Sequence, residues 1–388
     1  MTVDAPDRRG GQLAIDLGFM VFNEDNYPGF VRLLDACGGV ECGDSEMSFA
    51  YHVRAADESY AVSFGSGRRV GAAAIAGSAL APLLGEVLRF MRTAAAQLAQ
   101  GALGDLTLGE FLVAHRFSRA LAERYVLPMG AALWSAPPRQ IEQFPARAYF
   151  QFFANHGLLA PTADLRWQHV RGGSRRYVER VVARFVAAGG VVRTGAEVTA
   201  VTRRERGAVV TTRGATGERF DAVVLATHAN HALRLLADAD PDERSVLGAF
   251  GYQTSEAVLH TDPRVMPRRR DHWAAWNVEA SAPAGPGAGG DAVCVTYHLN
   301  RLQSLGEAAA DWFVTLNRQT PIDAAAVAAR VAFAHPVFDA AAIAAQPRVA
   351  ELSGRRAVYF CGAYLGNGFH EDGVRSGAAV AHALGVSW

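Results

Sequence analysis

Hydrophobic and polar positions along the chain switch repeatedly between a two-residue and a helical period, and the switches mark its elements. The stretch Gln12-Leu-Ala-Ile-Asp-Leu-Gly-Phe-Met-Val-Phe-Asn-Glu24 predicts a strand that runs out into a loop, followed by a helix from about Tyr27 to Cys37. Met1 to Gly11 is polar and glycine-rich and predicts no element. Met47 to Val53 and Ser59 to Phe64 alternate like the arms of a hairpin. From Val70 to about Arg166 the spacing is helical: Thr107-Leu-Gly-Glu110 is a capping-box signature, and Ser118 to Leu127 carries apolar residues three and four apart.

Strand and helix alternate again from Trp167. Val170-Arg-Gly-Gly-Ser174 joins a strand to a helix reaching about Ala188, and strands are expected at Val191, Glu197 to Thr202, Ala208 to Thr212 and Phe220 to Ala226. Pro241 to Gln346 holds a further group, with strands at Thr254 to His260, Trp273 to Asn277, Ala292 to Tyr297 and Trp312 to Leu316. The apolar run Ala357 to Cys361 then leads into a loop punctuated by Gly362, Gly366 and Gly368, and a helix follows through Val374, Ala378, Ala381 and Leu384.

That last segment carries the chemistry. A helix's first turn presents unpaired amides equivalent to about half a positive charge, and Gly373 and Gly377 remove the bulk that would hold the backbone away from a neighbour. Glu371 and Asp372 mark this end, as caps or as part of a binding surface. Gly172 and Gly173, again just before a helix, suit either a close backbone approach to a ligand or a plain turn.

Composition narrows the chemistry by exclusion. The chain has 388 residues, half of them hydrophobic, and 38 basic against 38 acidic side chains, so no basic field draws it to nucleic acid. Every basic side chain other than histidine is arginine; without lysine there is no lysine Schiff base and no phosphate-loop lysine. Cys37, Cys42, Cys294 and Cys361 form no Cys-x-x-Cys pair, which with the absence of a secretory signal predicts reduced cytoplasmic thiols. Val70 to Gly85, the longest uncharged stretch, is interrupted by Pro82 and is shorter than the roughly 20 apolar residues of a membrane span.

Other candidates resolve into bland and sharp readings. The aromatics of Phe144 to Leu159, and Trp134, are either core or the wall of an apolar substrate tunnel. Pro267-Arg-Arg-Arg270 is a solvated loop or a contact for anionic headgroups at a membrane surface. His228 and His231 lack a third metal ligand, so no metal is expected. The literal Gly-x-Gly-x-x-Gly at Gly285, Gly287 and Gly290 follows prolines and precedes a strand, which makes it a hairpin loop and not a dinucleotide fingerprint.

The chain resembles the flavin-containing amine oxidase superfamily, in particular a bacterial group of FAD-dependent oxidoreductases associated with cyclopropane-fatty-acid synthases. The likeness rests on Asp16-Leu-Gly-Phe-Met-Val-Phe-Asn-Glu24, Leu127-Pro-Met129, Trp134-Ser135, Asn155-His-Gly-Leu-Leu159, Tyr297 to Gln303 and Gly368-Phe-His-Glu-Asp-Gly373. The resemblance implies a mixed α/β fold: a discontinuous Rossmann-like FAD domain over 1–46, 167–240 and 347–388, interwoven with a helical and antiparallel-sheet substrate domain over 47–166 and 241–346. It also implies FAD contacts from Gly18, Phe19, Gly172, Gly173, Val198, Thr227, Gly362, Ala363, Glu371, Asp372, Gly373 and Val374. The amides near Gly373 and Val374 would face the flavin's pyrimidine edge, with Tyr364, Phe369 and His370 on the substrate side. His370 is then the titratable group available near neutral pH.

Proteins of this group open with a β-α-β unit of ~30 residues or more that cradles the FAD pyrophosphate, and no such unit precedes Gln12 here. The sequence is therefore expected to be the later part of a longer flavoprotein, a remnant without cofactor, or a lipid-binding partner of a synthase-like enzyme. Ala363 stands where the superfamily often has glutamate. With lysine absent as well, an acyl chain is a better expected substrate than an amine.

Overall fold

The computed structural model describes residues 1–7, 10–53, 58–63, 81–134, 136–159, 165–280, 294–306, 310–318 and 321–387. The Gly285 to Gly290 motif and the first part of the helical region, from Val70 to 80, lie outside them. The chain packs as two compact units.

The first unit holds Met1–Asn26, Gly39–Glu179 and Thr254–Phe333. Its first element is an antiparallel hairpin of Thr2–Asp7 with Gly11–Asp16, in which Thr2 faces Asp16. The first arm was not legible in the sequence, because its charged residues alternate with only Val3 and Ala5. The larger sheet has seven strands in the spatial order Val327–Val337, Gly251–His260, Phe313–Leu316, Cys294–His298, Trp276–Ala280, Ser48–Val53 and Glu58–Ser63. Trp276–Ala280 and Cys294–His298 are antiparallel partners, as the hairpin reading requires. The eleven-residue strand Val327–Val337 had no counterpart in the sequence reading.

Register sorts this sheet's residues into two faces. Phe49, Trp276, Tyr297 and Val314 stand opposite one another in sequence across four strands. The alternate face carries Ala50, Asn277, Thr296 and Thr315, with a buried hydrogen-bonded row from the Thr296 hydroxyl to that of Thr315 (2.9 Å) and on to His260 Nε2 (2.8 Å). The helical layer contains Leu84–Ala99, Leu108–Ala114, Pro138–Glu142, Ala146–Asn155 and one long helix from Arg119 to Trp134 whose turn over Ala122–Val126 is widened. The Thr107 capping box forms, with the Glu110 amide donating to the Thr107 hydroxyl (3.2 Å) and the Thr107 amide to Glu110 (2.9 Å). Tyr149, Phe150, Phe152 and Phe153 are all buried here, so this aromatic stretch is core.

The second unit holds Tyr27–Gly38, Arg180–Gln253 and Ala334–Trp388. Val223–Leu225 pairs in parallel with Val358–Phe360, and Val198–Arg203, Ala208–Thr212 and Glu218–Phe220 form an antiparallel sheet. Helices Ala229–Leu235, Pro241–Gly248 and Ala340–Leu352 pack on them around Leu225, Leu247, Val349, Val358, Phe360 and Tyr364. Arg203 is buried and paired with Asp238 (2.9 Å) and with Glu243, which keeps each buried charge compensated.

Two expectations change. Val191 is exposed coil, not strand. The run Phe220 to Ala226 is two strands, because Asp221 and Ala222 turn the chain from the antiparallel sheet into the parallel pair. The hairpin and Gln168–Val170 lie in the first unit, and Tyr27–Gly38, Arg180 to Asp240 and the carboxyl-terminal segment lie in the second. Among the described residues no helix is long and apolar enough to cross a membrane. All four cysteines are free.

Candidate cofactor site

The second unit gathers most of the sequence-nominated residues at the carboxyl ends of its two parallel strands, the usual ligand-facing end of such strands. One strand ends at Leu225 and leads to exposed Thr227; its neighbour ends at Phe360 and leads to Gly362. Their junction is tight. The Cys361 amide donates to the Leu225 carbonyl (3.3 Å), and a Cβ on Gly362 would stand 2.6 Å from the Tyr364 ring and 3.3 Å from the Thr227 carbonyl oxygen.

From Gly362 the chain makes a single turn over Ala363–Leu365, loops through Gly368 and enters the helix His370–Ala383. The Ser376 hydroxyl accepts from the Gly362 amide and donates to the Gly373 carbonyl (both 2.9 Å), pinning strand end to helix. Asp372 turns back on the loop, its Oδ2 accepting from the amides of Asn367 (2.9 Å) and Phe369 (3.0 Å). Burial raises the Asp372 carboxyl above the usual aspartate range. Glu371 points elsewhere: its two oxygens accept from the Gly29 (3.0 Å) and Phe30 (2.9 Å) amides of the helix Pro28–Cys37. Both nominated acids therefore serve backbone amides.

The residues beyond them leave room. A Cβ added at Gly373 or Gly377 would meet none of the described residues within 4 Å, so two successive turns of the helix present bare backbone on a half-open surface. The Gly373 amide itself donates to the Phe369 carbonyl (3.2 Å), inside the helix's own ladder. What this end offers a ring is a glycine-cleared surface at the positive pole of a fourteen-residue helix.

Burial governs both Tyr364 and His370. Tyr364 is buried in the unit's core, edge-on to Phe250 at 4.9 Å, and burial raises its phenol well above the ordinary value. Its hydroxyl has no hydrogen-bond partner among the described residues. His370 lies edge-on to Phe30 at 5.1 Å, and burial pushes its imidazole down to about 4. It is neutral at physiological pH and does not titrate near 7. Phe369 and Ala363 are half-buried in the loop, and Val198 is the half-buried first residue of its strand.

The remaining nominated residues belong to the first unit. Gly18 is exposed, with the Phe333 ring 3.9 Å from where its Cβ would be, and Phe19 stacks on Phe22 at 6.4 Å. Gly172 and Gly173 both adopt positive φ, +74° and +82°. A Cβ on Gly173 would stand 2.5 Å from the Thr2 methyl and 3.4 Å from Asp16. The amides that open the following helix are already satisfied: Ser174 donates to Asp16 (2.7 Å) and Arg175 to the Thr2 hydroxyl (3.1 Å). This turn thus packs against protein, with both of those amides engaged. Sequence reasoning missed Asp16, whose only signal was an acid inside an apolar strand. It also missed Gly29, which follows a proline at a helix start that has no capping side chain of its own.

Two of the three arginines in the basic run are committed to acids, Arg269 to Asp271 (2.6 Å) and Arg270 to Asp311 (2.7 Å). Arg270 also lies over the Trp273 ring at 4.5 Å. The His228 and His231 rings are 5.1 Å apart, and burial lowers the His228 imidazole.

Residues 6–305 match the profile of a family described as flavin containing amine oxidoreductase. The fold is similar to that of cyclohexylamine oxidase from Brevibacterium oxydans IH-35A, with a TM-score of 0.65 and 14% identity over 99% of this chain and 91% of that one. A CLA-producing fatty acid isomerase from P. acnes is similar at TM-score 0.65 and 13% identity, covering 98% and 89%. A putrescine oxidase solved with bound putrescine is similar at TM-score 0.63 and 16% identity, covering 99% and 90%. No curated protein matches the chain in sequence.

Proposed function

Because this chain belongs to the flavin-containing amine oxidoreductase family and is an FAD-dependent oxidoreductase, we propose that its substrate is apolar, and that the reaction oxidises or desaturates a modified fatty acyl chain. The observation that carries the reading is an aromatic seam inside the first unit. Trp276 and Tyr297 face each other on adjacent strands with rings 5.5 Å apart. The Tyr297 hydroxyl donates to the Ala132 carbonyl (3.2 Å), two residues before Trp134, whose indole lies 4.7 Å from Phe144 and 5.0 Å from Phe152. Backed by that buried core, the half-buried Trp276 and Tyr297 rings offer an apolar surface that holds methylene groups by burial at about 25 cal/mol per Å², with no need of a charge partner.

The second unit supplies the surface for the ring of FAD. The bare backbone at Gly373 and Gly377 and the positive end of their helix fit a planar group that gains negative charge. When bound, FAD provides the two-electron acceptor: desaturation removes one hydrogen as hydride and one as a proton, leaving a carbon–carbon double bond. The protein's share is to orient the carbon, exclude water and take the proton. His370, neutral at pH 7, has the protonation state of a base, though its low affinity for a proton makes it a weak one.

A fatty acid isomerase and two amine oxidases share this fold, so the fold itself admits either substrate. The lack of lysine and the acyl-chain associations of the group it resembles favour the lipid, and a synthase-like enzyme is the partner such a reaction would follow. Anaerobic titration of the purified flavoprotein separates the two. Unsaturated or cyclopropane fatty acyl substrates are expected to bleach the flavin absorbance and simple primary amines to leave it. Bleaching by amines alone would make the protein an amine oxidase, and a purified chain without flavin that still retains fatty acid would make it a lipid-binding protein.

A further inference from the structure

The helix Pro28–Cys37 begins without a cap of its own. Tyr27 at its start makes no side-chain cap bond, and Pro28 occupies its first turn. A helix start of this kind leaves amides unpaired, at a cost when they are buried. Here two of them, Gly29 and Phe30, donate to the two oxygens of Glu371, 342 and 341 residues further along the chain. Glu371 is 8% exposed. The carboxylate sits so close that a Cβ on Gly29 would be 2.8 Å from Oε1, which only glycine avoids.

The three residues that open the carboxyl-terminal helix are thereby held in three directions. His370 rests edge-on against Phe30, Glu371 spans two amides of the neighbouring helix, and Asp372 fastens the preceding loop through Asn367 and Phe369. The turn that follows, at Gly373, is the one whose backbone lies bare.

We propose that Glu371 is a positioning residue: by capping the helix Pro28–Cys37 from outside, it fixes the first turn of the helix His370–Ala383 in the orientation that receives the flavin ring. The cap itself stands on the geometry above, and only its consequence for the ring rests on the proposed function. Glu371 spans two amides of the neighbouring helix, so its effect is transmitted through the helix start. Glutamine is a partial substitute, since it keeps one acceptor oxygen but turns an NH2 toward the second amide.

Hydrogen exchange on the intact chain without added flavin tests the cap, and flavin affinity tests its consequence. Glu371→Ala is expected to speed exchange at Gly29 and Phe30 about tenfold, the scale of a lost helix cap, and to speed it at His370 to Val374 as well. Glu371→Gln should fall between, and it carries the comparison if the alanine variant does not fold. Leu34→Ala, a buried apolar truncation in the same helix, serves as the control: it should lower the melting temperature without altering exchange at His370 to Val374.

In flavin titrations followed by fluorescence, Glu371→Ala is expected to weaken binding about tenfold relative to Leu34→Ala. Unchanged exchange at Gly29 and Phe30 would overturn the cap. Faster exchange there with flavin affinity no weaker than in Leu34→Ala would reduce Glu371 to a purely structural role and overturn the proposal. If the wild-type chain takes up no flavin, the flavin reading fails by itself, and exchange at His370 to Val374 alone decides whether Glu371 fixes that turn.

Discussion

The carboxylate of Asp16 accepts from both the amide (2.7 Å) and the hydroxyl (2.8 Å) of Ser174, 158 residues later. The Thr2 hydroxyl donates to the same group at 2.5 Å, and the Asp16 backbone exchanges two hydrogen bonds with the Gln303 side chain, at 2.9 and 2.8 Å. One buried acid thus joins the amino-terminal hairpin to the start of the helix Arg175–Ala187 and shares its backbone with a residue near the unit's far end in sequence.

Removing that acid should be costly. Asp16→Ala leaves the Ser174 amide and two hydroxyls without their acceptor, and a loss of about 3 kcal/mol is expected, with Asp16→Asn losing less. Urea unfolding of the two variants measures it. A loss under ~1 kcal/mol for the alanine variant would mean that solvent replaces the carboxylate and that the cluster does not hold the hairpin.

Gly173 separates packing from ligand contact. Alanine there meets positive φ and the Thr2 methyl together, so Gly173→Ala is expected to destabilise by about 1–3 kcal/mol. If the glycine serves the hairpin alone, flavin affinity measured well below the melting temperature should stay unchanged. Affinity that falls while the melting temperature holds would instead return Gly173 to the cofactor site.

Four histidines set the acid limit of stability. Burial is the first cause that brings His156, His169, His260 and His370 down to about 4. In the unfolded chain each returns to about 6.5, so between these values the unfolded state binds more protons and stability rises with pH. The denaturation midpoint should therefore be flat above about pH 6.5 and decline steadily as the pH falls toward 4. A midpoint constant down to pH 4.5 would show that these imidazoles protonate without unfolding. For His370 the same shift means that the pH profile of kcat/KM from about pH 6 to 9 should be unaltered in His370→Ala. Loss of an ionisation near 7 in that variant would show that the imidazole titrates in the loaded enzyme.

How far the sequence could be read depended on how local each signal was. The capping box at Thr107, the helices Pro28–Cys37 and His370–Ala383, and the hairpin arms Ser48–Val53 and Glu58–Ser63 follow from periodicity within a few residues, and the structure has them. The glycine-rich loop from Gly362 to Gly368 was legible too, since close backbone approach demands glycine whatever the approaching group is. The strand Thr2–Asp7 was not, because what holds it is pairing with Gly11–Asp16 and bonds from Thr2 and Asp4 to Asp16 and Arg175, partners that no local periodicity announces.

The sequence by itself determined the alternation of elements, the absence of lysine chemistry, and a carboxyl-terminal strand, loop and helix suited to a flavin. Tertiary structure alone decided what each polar group does there. Glu371 and Asp372 are adjacent and chemically alike, yet one caps a helix 341 residues away and its neighbour fastens the loop before its own helix. His370 lost its neutral-range titration to burial, and Tyr364 is packed into the unit's core. The physical reason is the same throughout: hydrogen-bond partners and desolvation are set by groups distant in sequence, whereas periodicity and backbone freedom are set by neighbours.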